Sequence, residues 1–146
     1  MFSNSQTNRP SKQRAGFTLV ELMVVIVIIG LLAGAVSMSV RTYLIRGKQS
    51  VASMEISKIC QALDTFYAEF DRYPTNEEGI EVLVEKNNAF PDGLLSKMPR
   101  DPWKHAYQYN HPGQTTPYDV ICYGADGREG GEGADSDLSN VTIEEE

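Results

Sequence analysis

Apolar residues along this chain fall into successive regimes, each predicting a different element. From Leu22 to Val40 no residue is charged, and as a helix this stretch would extend about 28 Å, enough to cross a bilayer's hydrocarbon core once. Further on the pattern becomes periodic: Ile56, Ile59, Cys60, Leu63, Phe66, Tyr67 and Phe70 recur three and four apart. That spacing puts one apolar stripe on one helix face. With no proline between the two patterns, they predict a single helix from Phe17 to about Phe70, roughly 80 Å long. Its first half is inserted in a membrane and its second half is laid on a domain, with Gly30, Gly34 and Gly47 as weak points.

Asp71-Arg72-Tyr73-Pro74 stops the helix, because a residue before proline is driven out of the helical region. Thr75 and Glu78 have the spacing of a capping box, and Ile80, Leu83 and Val84 give the short helix after it a buried face. Pro91, Gly93, Pro99 and Pro102 make residues 87–102 a loop, tied to the core by Phe90, Leu94, Leu95 and Met98. Ala106–Asn110 and Tyr118–Tyr123 read as strands joined across His111-Pro112-Gly113. The fold class is therefore α+β: a long N-terminal helix packed on a small antiparallel sheet. Trp103 belongs to the core on this reading, and His105 and His111 have no nearby partner that makes a metal or catalytic set.

Charge narrows the function. The chain has 146 residues with a formal net charge of −7. From Arg41 onward it carries 10 Lys and Arg against 19 Asp and Glu, which gives no basic footprint for nucleic acid. Arg9, Lys12 and Arg14 before the apolar run are matched by Arg41, Arg46 and Lys48 after it, so charge bias does not set the orientation. Cys60 and Cys122 fit either one disulfide or two buried thiols. No nucleophile and base stand together, and Glu77 and Glu78 read as favourable charge at a helix start, so the chain is not read as an enzyme.

Two stretches carry specific chemistry. In the first, Gly16-Phe17-Thr18-Leu19-Val20-Glu21 puts a small residue ahead of the apolar run, whereas a secretory signal has its cleavage site after the run. Glu21 is an acid at the mouth of a membrane segment, where a charge needs a partner or a shallow position. This pattern resembles the type IV pilin and pseudopilin class. The resemblance implies cleavage between Gly16 and Phe17 by prepilin peptidase and N-methylation of Phe17. A Phe17 amine exposed by cleavage can pair with Glu21 of a neighbouring subunit, neutralising two buried charges and fixing the stagger of otherwise featureless apolar helices. The plainer alternative is Glu21 as a shallow headgroup residue on a simple anchor.

In the second, Gly124-Ala125-Asp126-Gly127 through Gly130-Gly131-Glu132-Gly133-Ala134-Asp135-Ser136-Asp137 mixes sharp-turning glycines with the carboxylates of Asp126, Asp135 and Asp137. Convergence of these three would suit a hard cation with many oxygen ligands, calcium before magnesium or zinc. The alternative is a solvated acidic tail. Arg128 occupies the third position an EF-hand needs for an oxygen ligand, and the glycine-rich nonapeptide of calcium solenoids is matched only once and in part.

Together with Tyr73-Pro74-Thr75, Glu78-Gly79, Asp101-Pro102-Trp103, Pro112-Gly113 and Tyr118-Asp119, this stretch resembles the major pseudopilins of type II secretion systems from Gly16 to about Asn140. The resemblance implies a leader over 1–16, a transmembrane and polymerisation helix over 17–40, and a periplasmic domain over 41–146. In that domain an amphipathic helix runs to about 70, a loop covers 71–105, and a sheet and calcium loop cover 106–146. It implies Ca2+ on Asp126, Asp135 and Asp137 with a backbone contribution near Tyr123. Its partners are further copies of itself, minor pseudopilins, prepilin peptidase, an inner-membrane assembly platform and the membrane. The location implied is the bacterial inner membrane, single-pass, with a periplasmic pseudopilus driving export of folded proteins across the outer membrane. Two residues depart from the family's habit: Met38 where proline is common, and Val141 where tryptophan is. A type IV pilus subunit and a monomeric membrane-anchored calcium-binding domain are the competing readings.

Overall fold

A computed structural model describes residues 16–144 of the protein. The expected leader over 1–15 and the side chain of Met38 lie outside the described residues. The chain divides into two compact units between Ser39 and Val40. Helix α1, Leu19–Phe70, contributes to both.

In the first unit α1 begins two residues later than the apolar run predicted, and the reason is a cap. The Thr18 amide donates to Glu21 Oε2 at 2.8 Å and the Glu21 amide donates to Thr18 Oγ1 at 3.2 Å. This reciprocal pair satisfies two amides that the first turn would otherwise leave open. Beyond it the apolar side chains point outward, with Leu19 82% and Leu31 72% exposed. Among the described residues α1 is the one helix long and apolar enough to cross a membrane.

The second unit is built on the periodic stripe of α1. Ile56, Ile59, Leu63 and Phe66 are buried, and each contributes about 1.5–3 kcal/mol by leaving water. Ala52 and Ala62 extend the stripe. Cys60 is half-buried, whereas Tyr67 and Phe70 stay about 40% exposed at its end. After the helix, the expected Thr75–Glu78 box forms, with bonds of 2.8 and 3.2 Å. Arg72 adds two guanidinium bonds to the Glu78 carboxylate at 2.7 and 2.8 Å. These donors hold Glu78 well below the ordinary carboxylate range, at about 2. The helix beyond is a tight 3-10 turn, Gly79–Leu83. Three residues per turn align Ile80 with Leu83, so Val82 packs beside them and the expected Val84 falls just past the end. Residues 87–102 form the predicted loop, held by Leu94, Leu95 and Met98. Trp103 is partly buried against the core, as expected.

The sheet is antiparallel in the order β1 (Gln108–Asn110), β2 (Asp119–Cys122), β3 (Leu138–Ser139), with Tyr109 facing Val120 and Ile121 facing Ser139. The two expected strands are shorter than their apolar pattern by one or two residues at their ends. The third strand and the short helix α2 after it, Asn140–Glu144, are too brief to produce a period in sequence. Asn140 joins them to β2: its Oδ1 accepts from the Val120 amide at 2.8 Å and its Nδ2 donates to the Tyr118 carbonyl at 3.1 Å. Cys60 and Cys122 are thiols and not a disulfide. Burial pushes the Cys122 thiol up to about 11, and its S–H donates to Asp101 Oδ2 at 3.4 Å.

Candidate assembly and metal sites

The N-terminal site is small and open. Gly16 and Phe17 are exposed and precede α1, and among the described residues nothing lies within 4 Å of where a Cβ on Gly16 would stand. Glu21 faces back along the helix start, where its Oε2 also accepts from the Thr18 hydroxyl at 3.0 Å. Gly16, Phe17 and Glu21 are thus gathered within the last residues before the helix and its first turn. The Thr18 contribution, which the sequence reading did not single out, was present as the T-x-x-E spacing over Thr18 to Glu21.

The C-terminal site is a loop closed on itself. Gly124 sits at φ +63°, and a Cβ there would meet the Asp135 carbonyl carbon at 2.6 Å. Gly131, at φ +104°, would meet the Asp135 oxygen at 2.7 Å. Only glycine allows both approaches. The Ala125 amide donates to the Ala134 carbonyl at 2.9 Å, so the first and last parts of the loop are joined around Asp135.

The three expected carboxylates take different positions. Asp126 is exposed and its Oδ1 accepts from the Arg128 amide at 3.1 Å. Asp135 is half-buried in the closure. Asp137 Oδ2 accepts from the Gly130 amide at 2.8 Å, while Asp137 Oδ1 is buried without a hydrogen-bond partner. Among the described residues no three acidic, histidine or cysteine side chains form a ready metal-ligand group. Any cation here would draw on carbonyl oxygens as well. Tyr123 is half-buried at the end of β2, where it leads into the loop.

Two residues that the sequence left without a role touch this loop. His105 Nδ1 lies 3.2 Å from the Gly124 carbonyl, and Gln49 Nε2, on α1, donates to the Gly133 carbonyl at 2.7 Å. They are 19 and 84 residues from their partners, a separation no local pattern reveals. His111 is also engaged, its Nδ1 lying 2.8 Å from the Pro117 carbonyl.

Comparison with known proteins places this geometry in context. Residues 39–141 match the family model of type II secretion system protein G, and residues 11–37 match the prokaryotic N-terminal methylation motif. The type II secretion system core protein G of Pseudomonas aeruginosa is 42% identical over 136 residues, covering 88% of this chain and 96% of the relative. That of Vibrio cholerae is 38% identical over 140 residues, covering 92% and 96%. The crystal structure of the major pseudopilin from the type 2 secretion system of enterohaemorrhagic Escherichia coli superposes with a TM-score of 0.51 at 31% identity, covering 66% of this chain and 93% of that one.

Proposed function

The chain belongs to the family of type II secretion system protein G, and we propose that it is the major structural subunit of a pseudopilus whose growth drives folded proteins across the outer membrane. The observation that carries this reading is the run of exposed apolar side chains on α1 from Leu19 to Val36, which the described residues leave uncovered. Lipid covers such a face before assembly, and identical helices cover it in a filament. On this reading prepilin peptidase removes residues 1–16, Phe17 is methylated, and the domain from residue 41 stands in the periplasm. Minor pseudopilins and an inner-membrane platform are its partners. The methylation-motif match over 11–37 and the exposure of Gly16 and Phe17 support the processing step.

Glu21 sets the register of assembly. Both donors from Thr18 fall on Oε2, so the other carboxylate oxygen can accept the Phe17 amine of a neighbouring copy. Pairing removes two buried charges together, whereas any other stagger leaves both unmatched. Intact mass of the protein recovered from assembled filaments tests the reading. A chain that begins at methylated Phe17 is expected, and filaments built from chains retaining residues 1–16 would overturn it.

A calcium ion belongs to the same proposal. The residues fit one: Asp137 Oδ1 is a buried, unpartnered carboxylate oxygen, the kind of group a hard cation satisfies. Asp135 and Asp126 lie on the same loop, and Tyr123 offers a backbone carbonyl at its entrance. When bound, calcium supplies positive charge that offsets the carboxylates and ties the loop into one conformation. The chain's own residues do the rest, with Gly124 and Gly131 allowing the close approach to Asp135.

A further inference from the structure

A loop with glycines at 124, 127, 130, 131 and 133 loses much conformational entropy on ordering. Something outside it must hold it if it is to bind an ion tightly. We propose that His105 and Gln49 are positioning residues that clamp the two ends of this loop before any ion binds.

The His105 clamp is rigidly mounted. Asp101 is buried, its Oδ1 accepts from the His105 amide at 2.7 Å, and the Asp101 amide donates to the His105 carbonyl at 3.0 Å. The imidazole therefore projects from a fixed turn. Its Nδ1 lies 3.2 Å from the Gly124 carbonyl and 3.6 Å from Asp101 Oδ2. An Nδ1–H tautomer donates to Gly124. The ring also lies against Gly127, where a Cβ would stand 3.2 Å from Nδ1 and Cε1. His105 thus touches the chain on both sides of Asp126.

The Gln49 clamp acts at the other end. Its amide fixes the Gly133 carbonyl, two residues before Asp135 and four before Asp137. Gln49 is part of α1, which gives it the backbone rigidity that the loop lacks. Between them the two donors restrain the loop's closure without offering any ligand to an ion.

This inference rests on the calcium reading for its purpose, but the clamp can be tested without metal. Full-length processed protein in detergent would be compared with His105→Phe, which keeps a ring without a donor, and Gln49→Met, which keeps the length. His105→Gln and Gln49→Lys restore a donor. In chelator, hydrogen exchange at Ala125 and Gly130 is expected to quicken about fivefold in each non-donor variant, the share of one ordinary hydrogen bond, and to recover in the donor variants. Global melting in chelator should stay within a few degrees. Unchanged exchange in both non-donor variants would overturn the clamp whether or not the protein binds calcium. In calorimetric titration with calcium chloride, the same variants are expected to bind about fivefold more weakly. Wild-type protein that takes up no calcium while the exchange result holds would refute the calcium reading alone, and equal affinity in wild type and both non-donor variants would refute the clamp's role in binding.

Discussion

Replacing Asp137 by alanine should have opposite consequences with and without calcium. In chelator the wild-type carboxylate has one favourable and one unfavourable feature. Its bond from the Gly130 amide contributes about 1.5–3 kcal/mol, as hydrogen bonds to charged groups do. Its buried, unpartnered Oδ1 costs about 1–3 kcal/mol in lost hydration. Asp137→Ala removes both, so the two forms should melt within a few degrees of each other in chelator. With calcium at a hundredfold excess over Kd, the wild type gains about 2.7 kcal/mol. At about 4–8 °C per kcal/mol for a domain of this size, the gap should open to roughly 10–20 °C. Circular dichroism or calorimetry on metal-free, full-length processed protein in detergent reads it directly, and magnesium should substitute poorly because it demands a tighter octahedron. Equal shifts in the two forms would show that calcium binds elsewhere. Equal wild-type melting in calcium and chelator would return the loop to a solvated acidic segment.

Glu21→Ala should leave membrane insertion intact while cutting filament yield at least tenfold, measured by shearing and sedimentation; wild-type yield would make Glu21 a plain headgroup residue. Lys104 holds φ at +79°, a conformation that costs a non-glycine residue about 1–2 kcal/mol, so Lys104→Gly should raise stability by up to about 1 kcal/mol after the unfolded-state entropy is counted. A lowered melting temperature would refute that reasoning. Glu78 is held at about 2 in the folded protein, chiefly by the Arg72 side-chain bonds. Because this lies below its unfolded value, the stabilisation is full above about pH 4.3 and is lost as pH falls toward 2. Arg72→Met should therefore flatten melting temperature against pH across that window, by a few degrees at most for so exposed a pair; an unchanged slope would place the acid sensitivity elsewhere.

How much of this was legible in the sequence depends on how far apart the interacting residues lie. The apolar run and the Ile56–Phe66 stripe were legible because helical periodicity is repeated over many turns. The Thr75–Glu78 box is legible from its spacing of three, and the Thr18–Glu21 box has the same spacing but is masked by the apolar run that follows it. The end of α1 at Phe70 followed from Pro74. β3 was hidden, since two residues make no pattern and its pairing is decided by Cys122 and Ile121 sixteen or more positions away. The metal stretch was legible in composition but not in geometry. Its aspartates read as convergent, whereas Asp126 turns toward Arg128 and Asp137 toward Gly130. The contact of His105 with the loop was hidden because it is made to the Gly124 backbone carbonyl 19 residues away, whereas its other partner, Asp101, stands only four residues before it.

The need for clamps follows from the same glycines that make the loop suitable for an ion. A segment able to bring Gly124 and Gly131 against the Asp135 backbone must visit positive φ at several positions, and a chain with that freedom also visits many open states. Side chains mounted on regular or tightly bonded structure restrict the ensemble without adding further carboxylates, which is why two donors to carbonyls suit the task better than additional acids. Placing one of them on α1 has a consequence for the surface of the domain. Gln49 lies on the part of α1 that belongs to the same unit as the loop, so ordering the loop and fixing the adjoining surface of that part of the helix are one event rather than two. An ion bound at Asp137 would then stabilise that surface as well as the fold that bears it.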